Sequence, residues 1–237
     1  MVTEYSPEIS SPRMGVHHVS SFSELIAARY TPEQSCFALL RGPLTGDFNA
    51  LALRLDHDTK ISAFGYKQLT RQELESYGSS TEGDEAKALE EVISDMESLH
   101  QEAPDRPAFL RVRAPFTGPE EDFMLHADGA RTSFHFDQLL CNYNTPRTVW
   151  VCYDDAEVKA PEVRNGIPTN VGAFFEAKPG APHYVFPLGT VWRHACNHRG
   201  MGNVRPFLHY APMIKEGHVP RLNLAATVAR LPGAHAF

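Results

Sequence analysis

Apolar residues recur at offsets of three and four at Leu89, Val92, Ile93, Met96 and Leu99, which predicts an amphipathic helix of about five turns with one face in a core. Two shorter helices are announced by their first residues. Ser21 with Glu24, and Thr70 with Glu73, have the spacing of a capping box, and Gly78 can close the second helix. From residue 107 the period changes. Runs at 108–114, 138–143, 148–153, 171–176, 184–186, 190–194 and 207–213 alternate or are continuously apolar, with Pro, Gly or Asn between most of them. A mainly helical part over 1–106 followed by many short strands over 107–215 predicts a mainly β fold with flanking helices: a double-sheet jelly roll, or double-stranded β-helix, with helices buttressing one sheet. Residues 1–237 are expected to form one domain, because all-β barrels commonly reach this size as a unit. Gly118 to Asp122 reads as an exposed acidic loop, and the tail from Leu231 as frayed.

Composition narrows the function classes. The chain is 42% hydrophobic and 22% charged, ordinary globular material, and its net charge of −7 without a Lys/Arg cluster argues against a nucleic-acid surface. The N-terminus has early acidic residues in place of a basic-then-apolar leader, and no run of 18 apolar residues predicts a membrane span. Cys36, Cys141, Cys152 and Cys196 show no CxxC pairing and read as buried free thiols, so the cytoplasm is the expected compartment.

The candidate chemistry begins at Phe134-His135-Phe136-Asp137. On a strand, residues two apart share a face, so His135 and Asp137 can point inward together while Phe136 packs on the other side. His194, 57 positions beyond Asp137 (194 − 137 = 57), can reach the same mouth from a neighbouring antiparallel strand. Two histidines and one carboxylate on one face of a metal leave positions open, the ligand pattern of a non-haem iron site. Arg205, eleven residues past His194 (205 − 194 = 11), suits an anionic co-substrate.

At His135-Phe136-Asp137, His194 and Arg205 the chain resembles the Fe(II)- and 2-oxoglutarate-dependent oxygenases, in particular the phytanoyl-CoA and taurine dioxygenase groups. The resemblance covers roughly the second half of the chain. It implies iron held by His135, Asp137 and His194, 2-oxoglutarate anchored by Arg205, and dioxygen consumed in oxidising a C–H bond of a small organic molecule. Many members carry a hydroxyl residue two positions after the arginine, where this chain has Phe207, so Thr148 or Tyr143 is expected to complete the co-substrate contact. Retention of Asp137 favours hydroxylation over halogenation.

Other readings of the same residues stay open. His126-Ala127-Asp128 is a second H-x-D nine residues earlier (135 − 126 = 9); strand alternation favours 135/137, whereas Asp128-Gly129 reads as a turn. His198 competes with His194 as the distal ligand, on a poorer separation from Arg205. His183 and His209 are expected to pack or bond locally, Trp150 and Trp192 to be core, and Arg147, Arg193 and Arg199 to be solvated or to meet a substrate anion. A cupin-like metalloenzyme without 2-oxoglutarate would draw a further ligand from His183 or His198, and a non-catalytic jelly-roll module would use these residues structurally.

Overall fold

The computed structural model describes residues 2–58, 67–114, 123–128, 135–159, 162–164, 167–169, 174–197, 203–214 and 217–229. The N-terminal part runs β1 (Val2–Glu4), β2 (Val16–Val19), α1 (Phe22–Ala27), β3 (Cys36–Leu39), α2 (Phe48–Asp58), β4 (Lys67–Leu69), α3 (Arg71–Tyr77) and α4 (Gly83–Glu102). It continues through β5 (Ala108–Arg113), β6 (His135–Asn142), β7 (Val149–Val151), β8 (Ala156–Val158), β9 (Glu162–Arg164) and β10 (Ile167–Thr169). The remaining strands are β11 (Phe175–Ala177), β12 (His183–Val185), β13 (Val191–Ala195), β14 (Leu208–Tyr210) and β15 (Arg221–Ala229).

Local chemistry explains the helices. The Ser21 hydroxyl accepts from the Glu24 amide at the start of α1, and Thr70 with Glu73 forms a complete capping box on α3. α2 has no counterpart in the sequence reading, although Asp47 caps it through Oδ1, which accepts from the amides of Asn49 and Ala50 at 3.0 and 2.9 Å. The stripe foreseen on α4 is buried at Leu89, Val92, Met96 and Leu99, each such side chain contributing about 1.5–3 kcal/mol against exposure. Among the described residues no helix is long and apolar enough to cross a membrane.

Seven strands form a major sheet in the order β2-β3-β13-β6-β15-β5-β4, and four form a minor sheet in the order β1-β12-β7-β14. Strands interleave between the sheets, β6 to the major, β7 and β12 to the minor, β13 back to the major, β14 to the minor and β15 to the major. This is the jelly-roll pattern. The sheets also draw on strands outside the expected 107–215 core: β1 to β4 come from the part read as helical, and β15 lies beyond residue 215. These are mostly short segments whose pairing partners are far away in sequence, so local periodicity gives little sign of them.

The two faces of the major sheet carry different cores. Leu139, Cys141, Val191, Leu222 and Leu224 pack with α1 to α4. Leu140, Trp192 and Ala225 point the other way and meet Trp150, Phe186 and Phe207 between the two sheets. All four cysteines are buried and free, and burial pushes the Cys152 thiol up to about 11.

Candidate metal centre

The strand register separates two residues that the sequence suggested would meet. In the β13–β6 ladder His194 pairs with Gln138, and Asp137 pairs with Ala195. Directly paired residues share a face and neighbours alternate, so Asp137 and His194 lie on opposite faces of the major sheet. Asp137 is on the helix side. Its carboxylate lies 3.2 Å from Arg193 Nε and 3.4 Å from Arg106 Nη1, both guanidiniums being largely buried. Arg193 also donates to the carbonyls of Ile26 and Ala28 at the end of α1, so this ion pair fastens a helix to the sheet. The grouping of Asp137 with His194 around one metal is therefore corrected. His135 opens β6, its side chain lies outside the described residues, and so does His198.

Arg205 is corrected too. It is half exposed, pairs with Asp154 at 2.7 Å and lies over the Tyr153 ring. The residue precedes β14, so the inward alternation that begins with Phe207 does not govern it. Replacing it with Gln is expected to change stability by less than about 1 kcal/mol, as for most exposed ion pairs, which thermal denaturation would measure. Tyr143 is buried on the helix side, stacked on Phe48, with its hydroxyl donating to Asp95 Oδ2 at 2.6 Å. Thr148 is buried and donates to Asn142 Oδ1 at 3.4 Å, at the end of β6 remote from the level of His194.

A different set converges. His126 and His209 exchange both backbone hydrogen bonds at 3.0 Å, an antiparallel pairing that puts their side chains on one face. Asp128 follows two residues after His126. One ligand atom from each of His126, Asp128 and His209 lies within 4.8 Å of the others. Asp128 Oδ1 is 3.5 Å from His126 Nε2, and Oδ2 is 3.4 Å from His209 Nε2. The Asn197 amide donates to the Asp128 carbonyl at 2.7 Å, which ties this corner to the end of β13 and brings His194 Nε2 within 3.1 Å of Asp128 Oδ2.

The outer ring nitrogens are held by backbone. His126 Nδ1 lies 2.7 Å from the Met124 carbonyl, and His209 Nδ1 lies 3.4 Å from the Phe207 carbonyl. Carbonyl contacts there put the proton on Nδ1 and leave the Nε2 lone pairs for a metal. Burial drives His209 down to about 3, so its imidazole is neutral near pH 7, as a ligand must be. Asp128 is held well below the usual carboxylate range: burial opposes ionisation but is outweighed by the three imidazoles, His209 first, that surround its oxygens. Two imidazoles and one ionised carboxylate on one face fit a divalent transition metal with positions left open.

The sequence contained this triad without ranking it first. Asp128-Gly129 reads as a turn, which favours the later triplet, yet an isolated antiparallel bridge to His209 is enough to place His126 and Asp128. His209, expected only to pack, stands twelve residues before Arg221 (221 − 209 = 12), close to the eleven that separate His194 and Arg205.

No family model matches the chain, and no curated protein matches it. Among solved structures it is similar to the 2-oxoglutarate complex of dioxygenase for auxin oxidation 1 from Arabidopsis thaliana, at 12% identity over 100% of this chain and 95% of that one, with a TM-score of 0.38. It is also similar to the dioxygenase for auxin oxidation in rice, at 14% identity over 84% of this chain and 74% of that one, with a TM-score of 0.38. A third likeness is to a prolyl-4-hydroxylase from Pseudomonas putida, at 11% identity over 80% of this chain and 96% of that one, with a TM-score of 0.28. Likenesses of this degree leave the reading of the site to its own geometry.

Proposed function

We propose that the chain is an oxygenase using Fe(II) and 2-oxoglutarate to oxidise a C–H bond of a small organic molecule, with His126, Asp128 and His209 as the metal ligands. One observation carries this reading: two backbone-oriented imidazoles and a carboxylate present mutually close ligand atoms between the sheets of a jelly roll. When bound, the metal and the 2-oxo acid supply the oxidising chemistry, consuming dioxygen and releasing succinate and carbon dioxide. The protein's own contribution is to orient the donors and to exclude water with the Trp150, Phe186, Trp192 and Phe207 layer.

Arg221, in place of Arg205, takes the co-substrate role. In β15, Ala225 belongs to the core between the sheets and Leu222 and Leu224 to the helix side, so Arg221 and Asn223 project inward. Both are buried, and Arg221 pairs in register with Arg113, so this wall of the barrel is cationic and suits a dicarboxylate. Replacement of Arg221 by Gln is expected to weaken 2-oxoglutarate about 10- to 150-fold, from the roughly 1.5–3 kcal/mol of a hydrogen bond to a charged group, with metal affinity unchanged. Titration of 2-oxoglutarate into the metal-loaded protein measures this.

We take the likeness no further than the superfamily: the phytanoyl-CoA and taurine pattern draws on His135, Asp137, His194 and Arg205, of which Asp137 and Arg205 stand apart from this set. Four buried free thiols and a need for Fe(II) suit a reducing compartment, and we assign the cytoplasm on that ground. The deciding experiment is incubation with Fe(II), 2-oxoglutarate and oxygen, with succinate measured. Metal-dependent succinate formation supports the reading. Tight metal binding without any 2-oxoglutarate turnover would move the protein to the cupin-like alternative.

A further inference from the structure

His194 stands outside the mutually close ligand set but is in contact with it. It sits on β13 between β3 and β6, paired with Cys36 and Gln138, so its backbone is locked from both sides. The side chain is fully buried. Its ring is wedged between Phe207, at 5.5 Å between centroids, and His209, at 4.8 Å. Nothing in that packing requires an imidazole. The one polar contact among the described residues is Nε2 to Asp128 Oδ2 at 3.1 Å, and Nδ1 has no hydrogen-bond partner there. An ionised carboxylate only accepts, so this contact places the proton of His194 on Nε2.

Resting on the metal-centre reading, we propose that His194 is a positioning residue that holds Asp128 as a one-oxygen ligand. Its Nε2–H occupies Oδ2, and the two carboxylate oxygens are thereby made unequal. A carboxylate at a metal site can bind through one oxygen or two, and the second mode fills a coordination position. A metal held by His126, Asp128 and His209 would need its remaining positions for the 2-oxo acid and dioxygen. Engaging Oδ2 from outside the ligand set keeps the last of them open. Donors of this kind orient ligands and typically change metal affinity 10- to 100-fold when lost.

The test uses the full chain freed of metal and reloaded with Co(II) alone under argon. Affinity is read by competition with a chelator, and coordination number by X-ray absorption at the cobalt edge. His194→Leu is expected to bind Co(II) about 10- to 100-fold more weakly than the parent and to gain an oxygen at the metal. His194→Gln, whose amide can reach Asp128, is expected to restore the parent spectrum. Where Leu prevents cooperative thermal unfolding, His194→Asn, too short to reach, replaces it as the variant without a donor. A donor-free variant with the parent's affinity and spectrum overturns the inference. So does one that loses Co(II) as completely as Asp128→Ala, because His194 would then be a ligand. If the parent itself fails to bind one Co(II) in an Asp128-dependent way, the metal-centre reading falls and takes this inference with it.

Discussion

Asp128→Ala is expected to lose more than about 100-fold in Fe(II) or Mn(II) affinity, exceeding the range typical of residues that only support ligands, while the protein stays folded. Asp128 is the anionic member of the mutually close ligand set, so its removal leaves two imidazoles to hold a dication. The fold has less to lose. The Asn197 amide bonds the Asp128 backbone carbonyl, which alanine keeps. Among its neighbours His209 is pushed down to about 3 by burial, so loss of the carboxylate leaves that imidazole uncharged. Calorimetric metal titration under argon beside a thermal melt measures both quantities. Metal affinity equal to that of the parent would remove Asp128 from the centre.

The opposite profile is expected of Asp137→Ala. Its carboxylate lies against Arg193 and Arg106 on the helix side of the major sheet, and truncation leaves two largely buried guanidiniums without it. Breaking a buried pair in this way costs about 3–5 kcal/mol, and with roughly 2–4 °C per kcal/mol for a domain of this size the midpoint should fall by about 6–20 °C. Arg193 keeps its bonds to the Ile26 and Ala28 carbonyls, which favours the low end of that range. Asp137→Asn should be milder because an acceptor oxygen remains. Metal affinity should not change in either variant. Loss of metal without loss of stability in Asp137→Ala would restore the 135/137 pair as the ligand set.

The contrast between these two aspartates marks where reading along the chain stops being sufficient. Both stand in an H-x-D triplet, and the spacing within each triplet satisfies the same rule that residues two apart share a face. Phe134 and Phe136 made the later triplet look more like a strand, and it is one: β6 begins at His135. What strand alternation cannot say is which face is which. That depends on cross-strand register, and the pairing of Asp137 with Ala195 in place of His194 sends its carboxylate to the helices.

Arg205 and Arg221 differ for a related reason. An arginine some eleven or twelve residues after a histidine is visible in the sequence at both positions, but only β15 places its arginine on a wall between the sheets. β15 itself carries a weaker pattern. Its inward residues Arg221, Asn223 and Ala225 alternate with Leu222 and Leu224, so the period-two signal exists, but three of the first five residues are small or polar, which weakens it.

By itself the sequence determined the helices whose stability is local: the α4 stripe and the caps at Ser21 and Thr70. It also determined the change to short strands after residue 107, and with it the jelly-roll class and a set of histidines and aspartates able to ligate a divalent metal. These depend on contacts between residues a few positions apart, which a linear reading contains. Only the tertiary structure decided which H-x-D lies with His209, that Asp137 binds arginines, and that His194 touches Asp128. Those outcomes are set by register between strands far apart in the chain, where a shift of one residue exchanges the two faces of a sheet.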